Sequence, residues 1–471
     1  MGEIDIFYHD KPNEECGVFG VINVSNANEV MYYGLHALQH RGQEGCGIVS
    51  TDHNEMYHIK GEGLVTEVFN ESILSTLKGD TAIGHVRYST TGGGGIENVQ
   101  PFLFRHHTGD FGLCHNGNLV NSKELRRQLE NAGSIFQSTS DSEIFAHLIK
   151  KDRRNNRREA IKDALNRLEG AFAFLAMSKD KLYIMRDKNS LRPLSLGKLN
   201  GGYVVSSETC AFEIVGAKFI RDIKPGEILI IDKNGEVSSD FYAQKTYNNM
   251  CAMEYIYFSR PDSDIESMNV HAVRKKTGRI LYNTHPVDAD IVVGVPDSST
   301  SAAMGYSEES GIPLEMALIK NKYVGRTFIQ PSQKMREKGV KMKLSPVRSL
   351  VKGKRVVLID DSIVRGTTSK KIVQLLKEAG ATEVHMRIAA PPITHPCFYG
   401  VDTSTYDELI SATKSVEDVR KMIHADSLAF LSPEGLLDAC GRNKLCLSCF
   451  TGKYPTYIYQ DVKEANKDGK F

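Results

Sequence analysis

Apolar and polar positions follow two different rhythms along the chain. From residue 16 to about 245 the apolar residues come in short runs punctuated by glycine. Examples are CGVFGVI at 16–22, TAIGHVRY at 81–88, FGLCHNG at 111–117, AFAFLAM at 171–177 and KLYIMRD at 181–187. Short apolar runs bounded by turn residues predict strands. Two stretches instead have helical patterning: SKELRRQLENAG from Ser122 and SDSEIFAHLIKK from Ser140. In the second, Ser140 followed by Glu143 has the form of a capping box. Strands and helices in separate runs predict an α+β layered domain.

After about residue 285 the rhythm changes. ADIVVGVP (289–296) predicts a strand, SAAMGYSEESG a short helix and PLEMALI a second strand. RVVLID (355–360) predicts a strand and SKKIVQLLKEAG (369–380) a helix, with Ile372, Leu375, Leu376 and Ala379 on one face. TEVHMRIAA is the next strand. Repeated strand–helix–strand units predict a parallel sheet with helices on its faces. A chain of 471 residues exceeds one core, so two domains are expected.

Composition changes this picture little. The chain is 41% hydrophobic and 25% charged with net charge +1, which favours neither nucleic acid nor a membrane surface as partner. No apolar run approaches the ~20 residues that span a bilayer. Glu3, Asp5 and Asp10 and the lack of an apolar core exclude a secretory signal, and Ile6 spoils a myristoylation pattern at Met1-Gly2. The expectation is a cytoplasmic protein. Its nine cysteines are then catalytic, metal-binding or buried, and not paired as disulfides. The basic run KKDRRNNRR (150–158) reads as a solvated helix end or loop.

VVLIDDSIVRGTTS (356–369) is the most informative stretch. An apolar strand ends in Asp360-Asp361, passes Ser362 and Arg365-Gly366-Thr367-Thr368, and enters a helix at Ser369. The carboxyl ends of parallel strands are where open α/β sheets bind ligands. Gly366 permits close backbone approach, and the helix start with the two threonine hydroxyls offers donors to a phosphate. Paired carboxylates accept from sugar hydroxyls or hold Mg²⁺. A plain polar loop with a good cap accounts for one threonine but not for the acidic pair. The stretch resembles the phosphoribosyl pyrophosphate (PRPP) motif of type I phosphoribosyltransferases. The resemblance assigns Asp360 and Asp361 to ribose and Mg²⁺, and Ser362 and Arg365 to Ser369 to the phosphate side. It also places Ser298, in GVPDSS, where a hydroxyl reaches the metal. Between the two units, residues 322–354 carry ten Lys or Arg against one acid, Glu337. This is an ordinary exposed basic loop, or a lid that orders on a pyrophosphate, with Lys322 and Arg326 as its cations.

Cys16 opens the first apolar run. It is a small core residue, or a nucleophile that lacks a base in sequence. A cysteine at a chain terminus carries its own base, because an α-amino group has a pKa of ~7.7–8.0. That role requires removal of residues 1–15. Arg87 in HVRYST suits a carboxylate, Asn116 and the Gly117 N–H in CHNGNLV suit an oxyanion, and Asp141 in STSDSE suits an amine. Together with LQHRGQEGCG (38–47), these residues resemble the class II glutamine amidotransferase domain, an N-terminal-nucleophile hydrolase. The resemblance implies that Arg87 and Asp141 read glutamine, that Arg41 supports its site, and that Cys16 attacks the amide to release ammonia.

Both motif sets in one chain resemble the amidophosphoribosyltransferase family, from Cys16 to about Tyr457. FSRPDS (258–263) and SCFTGKYP (448–455) are also similar to it. The resemblance implies a propeptide (1–15), a four-layer αββα glutaminase domain (16–245) and an α/β phosphoribosyltransferase domain with a parallel sheet (246–471). It implies transfer of ammonia from glutamine to PRPP, the first committed step of purine synthesis. Other class II amidotransferases, glucosamine-phosphate synthase or asparagine synthetase, share the first half but not the PRPP motif. A PRPP-sensing repressor shares the second half but not the glutaminase residues. Cys446-Leu-Ser-Cys449 is a CxxC pair that suits zinc as well as an iron–sulfur cluster. The family resemblance favours a [4Fe–4S] cluster on Cys251, Cys397, Cys446 and Cys449. Cys440 is its nearest alternative, and Cys46, Cys114 and Cys210 are core. Purine nucleotides as feedback inhibitors and a homotetramer follow from the resemblance alone.

Overall fold

The computed structural model describes residues 16–88, 95–107, 109–151, 156–321, 344–403 and 405–458. Residues 1–15, Lys322 and Arg326 lie outside the described residues. The first sheet contains β1 (Gly17–Ile22), β2 (Gly45–Thr51), β3 (Met56–Glu62), β4 (Thr81–Arg87), β9 (Ser195–Leu199), β10 (Gly202–Ser206) and β11 (Lys218–Asp222), in the order β11-β9-β10-β1-β4-β2-β3. The second contains β5 (Phe102–Phe104), β6 (Phe111–Leu119), β7 (Gly170–Met177), β8 (Lys181–Arg186), β12 (Glu227–Asp232) and β13 (Val237–Phe241), in the order β13-β12-β8-β7-β6-β5. Every pairing in both sheets is antiparallel.

Strand periodicity sorts β1 between two cores. Val18 and Ile22 point between the sheets, against Ala173, Leu175 and Ile184. Phe19 and Val21 point the other way, against Met31 and Leu35 of helix Ala27–Ala37. On the far side, Phe172 and Phe174 of β7 meet Leu125, Phe145 and Ile161 from helices Ser122–Asn131, Ser142–Lys151 and Arg157–Arg167. The result is the expected αββα sandwich, with β1 buried along its whole length.

After a short hairpin, β14 (Asp264–Ile265) with β15 (Met268–Asn269), comes a four-stranded parallel sheet. Its strands are β16 (Ile291–Gly294), β19 (Arg355–Asp360), β20 (Glu383–Ile388) and β21 (Ser427–Phe430), in that spatial order. A second hairpin, β17 (Leu318–Lys320) with β18 (Leu344–Pro346), flanks it. Helices Thr300–Ser310 and Thr367–Glu378 cover the sheet and share its core.

Two local readings are corrected. The Ser140–Glu143 capping box does not form. The helix starts at Ser142, and the Glu143 carboxylate accepts from the Gln137 and Ser138 N–H groups at 2.9 Å each and the Ser138 hydroxyl at 2.7 Å. The preceding loop curls back over the helix, so its earlier residues reach the carboxylate first. PLEMALI is a strand only from Leu318. Pro313 has no N–H, and Leu314 makes just an isolated parallel bridge to Val292.

The two domains share an apolar cluster of Val120, Ala171 and Leu191 with Phe398, Tyr399, Cys446 and Ile458. The Asn118 amide donates to the Phe398 carbonyl at 3.0 Å, and Arg186 pairs with Glu266 at 3.0 Å. Among the described residues no helix is long and apolar enough to cross a membrane.

Candidate functional sites

One cavity opens at the start of β1. Cys16, Arg87, Tyr88, Asn98, Gln100, His115, Gly117, Ser140, Asp141 and Ser142 line it, so strands β4 and β6 and the start of helix Ser142–Lys151 converge on Cys16. The Cys16 thiol lies 3.4 Å from the Tyr88 carbonyl. Asp141 accepts from the Leu119 N–H at 2.8 Å and stands 3.6 Å from His115 Nδ1. Burial pushes its carboxyl up, but the His115 ring, the Leu119 N–H and the Ser142 hydroxyl outweigh this and hold it below the usual aspartate value. A charged carboxylate thus faces a buried arginine, Arg87, across one cavity.

Asn116 and Gly117 follow His115 on β6. The Asn116 amide is buried, and both its ends lack a hydrogen-bond partner among the described residues. An amide in that condition fits a ligand oxygen or developing oxyanion. Gly117 has φ 142°, and a Cβ there would lie 2.1 Å from the Ala171 carbonyl, so only glycine fits. Arg41 does not line the cavity. It lies behind it, fully buried, with Nε donating to the Cys16 carbonyl at 3.1 Å. His115, Asn98 and Gln100 were not foreseen. His115 was legible only as the neighbour of Asn116, while Asn98 ends a single 3₁₀ turn, Ile96–Asn98, and Gln100 follows it.

The second site sits at the carboxyl end of β19. Ser299 donates to Asp360 at 3.1 Å, Ser298 donates to Asp361, and Ser362 donates to Asp361 at 2.8 Å. Gly366, in the left-handed conformation, caps helix Thr367–Glu378, so Thr367, Thr368 and Ser369 form its first turn. Arg365 is turned to Glu408 at 2.5 Å. These oxygens fit a hard cation that substrate and water complete. Among the described residues, no three His, Cys, Asp or Glu side chains are gathered into a ready metal cage.

A third cavity is lined by Cys251, Cys397, Cys446 and Cys449 together with Arg192, Leu191, Met253 and Ile393. The four thiols come from three distant segments. Burial raises Cys397 to about 11 and also pushes Cys446 and Cys449 up. Soft sulfur donors around a mostly apolar space suit a thiolate-bound iron–sulfur group, although the four thiols line one space without being drawn together into a ready metal cage. Cys440 is buried in the second core and does not line this space. Cys46 and Cys210 pack under the first sheet and Cys114 between the sheets.

Comparison with known proteins matches residues 85–213 to the glutamine amidotransferase domain and residues 268–416 to the phosphoribosyl transferase domain. The chain is 58% identical over 465 residues to the amidophosphoribosyltransferase of Bacillus subtilis (strain 168), covering 96% of this chain and 98% of the relative. It is 51% identical to that of Staphylococcus aureus (strain Mu50), covering 96% and 93%. It superposes with TM-score 0.91 at 57% identity on the solved B. subtilis glutamine PRPP amidotransferase complexed with ADP and GMP, covering 95% of this chain and 98% of that one. A structure of the allosteric regulatory enzyme of purine biosynthesis matches at TM-score 0.92 and 57% identity, covering 95% and 97%.

Proposed function

The chain belongs to the amidophosphoribosyltransferases, and from that premise we propose how its residues divide the reaction. It is a glutamine-dependent pentosyltransferase of purine biosynthesis. Glutamine, PRPP and water give 5-phospho-β-D-ribosylamine, glutamate and diphosphate. The observation that carries the division of labour is the Cys16 cavity, where a thiol, an arginine and a carboxylate face one another beside Gly117.

In this reading residues 1–15 are removed and Cys16 becomes the terminal nucleophile. Its α-amine takes the thiol proton, Sγ attacks the side-chain amide of glutamine, and the proton passes to the departing ammonia. Water then releases glutamate from the thioester. Arg87 receives the α-carboxylate, Asp141 the α-ammonium, and Asn116 with the Gly117 N–H the oxyanion. Arg41 steadies the Cys16 carbonyl. In the second domain, Asp360 and Asp361 accept from the ribose hydroxyls. Ser362, Arg365 and the Gly366–Ser369 turn hold the 5-phosphate, and the positive charges of Lys322 and Arg326 are assigned to the diphosphate. Ammonia displaces diphosphate at the anomeric carbon. Asp360, Asp361 and Ser298 would hold Mg²⁺, which would supply charge neutralisation to the leaving diphosphate.

Cys251, Cys397, Cys446 and Cys449 would hold a [4Fe–4S] cluster with a structural role, tying the C-terminal segment to the domain junction. Inhibition by purine nucleotides is supported by the relative solved with ADP and GMP. A cytoplasmic homotetramer that needs neither nucleic acid nor membrane completes the reading. Intact native mass of protein purified without oxygen tests it. A mass lacking residues 1–15 and carrying four iron and four sulfide is expected. Full glutaminase rate in a sample retaining Met1 would overturn the terminal-amine mechanism.

A further inference from the structure

Arg41 is held from two sides. Its Nη1 donates to Glu208 at 2.6 Å and to Glu254 at 3.0 Å, and its Nη2 donates to Glu254 at 2.8 Å. All three side chains are fully buried. Arg41 and Glu208 belong to the first domain. Glu254 opens a π-helical turn, Glu254–Phe258, whose neighbours Met253, Tyr255, Ile256 and Phe258 pack into the second domain's core. The guanidinium is a rigid plane, and the Glu254 carboxylate engages two of its nitrogens. Glu254 therefore sets the rotation of that plane, and with it the direction of Nε toward the Cys16 carbonyl.

We propose that Glu254 is a positioning residue for glutamine hydrolysis, supplied to the first domain's nucleophile by the second domain. The proposal rests on Cys16 being that nucleophile. Glu254 touches no substrate and acts through Arg41. Its own orientation is fixed by the Ser259 hydroxyl, which donates to it at 2.7 Å. The turn that carries it is pinned by Arg274, which donates to the Tyr255 carbonyl at 2.7 Å and the Ser259 carbonyl at 2.8 Å. Arg274 in turn lines a cavity with Ser298 and Asp361 of the PRPP-type site. A run of buried polar contacts therefore joins the backbone of Cys16 to the wall of the second site.

Glu254→Gln keeps the shape but replaces one acceptor with an amide donor facing a guanidinium that only donates. In full-length holoenzyme, kcat for glutamine hydrolysis should fall about tenfold to hundredfold while KM for glutamine stays near wild type. Phosphoribosylamine formation from added ammonia should be unchanged, and Glu254→Asp should recover part of the loss. Wild-type glutaminase in Glu254→Gln, or equal loss of the glutamine- and ammonia-dependent activities, would overturn the proposal. Cys16→Ala is run alongside. If it still hydrolyses glutamine, the nucleophile reading itself fails and this proposal falls with it. If it does not, the Glu254 result stands on its own.

Discussion

Replacing Asn116 by leucine should make the protein more stable and nearly inactive as a glutaminase. The Asn116 side chain is 1% exposed, and neither end of its amide is partnered among the described residues. An unpaired buried polar group costs about 1–3 kcal/mol. Leucine has the same branched skeleton of four side-chain heavy atoms, so it removes that cost without opening a cavity, and its bulkier methyl groups offset part of the gain. The expected net gain is about 1 kcal/mol. Loss of one oxyanion donor costs about 10²–10³ in kcat, or roughly 3–4 kcal/mol of transition-state stabilisation. The two effects have opposite signs, which separates a functional amide from a structural one. Stability is read from urea unfolding by far-UV circular dichroism, since the chain has no tryptophan. Activity is read as glutamate release, with ammonia-dependent synthesis as the control. A variant that is destabilised, or that keeps more than about a tenth of its glutaminase rate, would refute the reasoning.

Gly117→Ala should destabilise by about 2–4 kcal/mol and abolish glutaminase, because its Cβ would meet the Ala171 carbonyl at 2.1 Å; chemical denaturation checks the first part. Glu408→Gln should tighten PRPP binding about two- to fivefold in calorimetry, since it frees Arg365 from a partly exposed pair at 2.5 Å. Glu208 sets a pH dependence. Burial pushes its carboxyl up, but His40 and Arg41 outweigh this and hold it far below the usual value. A depressed folded-state pKa gives stability that is present above the unfolded value of ~4.3 and lost as pH falls below it. Glu208→Gln should therefore flatten the acid limb of a stability-versus-pH curve, while wild type shows the loss.

The strands of both domains were legible because their apolar runs are either glycine-punctuated or continuous, and each pattern has a distinct burial solution. β1 shows this well, with odd and even positions feeding different cores. Readings failed where a side chain chose a partner that spacing does not predict. Glu143 reaches Ser138 in preference to Ser140, and the segment read as a strand from Pro313 pairs as one only from Leu318. Local motifs nominated Cys16, Arg87, Gly117 and Asp141, and each of these lines the same cavity. Arg41 stood in a motif too, but its position behind the cavity depends on Glu208 and Glu254. Those partners lie 167 and 213 residues away, with no local pattern to announce them. The cysteine cavity has the same character, because only one of its pairs is close in sequence.

The shared apolar cluster at the domain junction also sets a timetable for synthesis. Val120, Ala171 and Leu191 have left the ribosome long before Phe398, Tyr399 and Cys446 exist to cover them. At ~5–20 residues per second, the roughly 200 residues from Tyr242 to Cys446 take about 10–40 s to emerge. For that interval a nascent glutaminase domain keeps the Val120, Ala171 and Leu191 edge uncovered. A chain that stalls or is cut short before Phe398 thus leaves this apolar edge exposed to association with other chains.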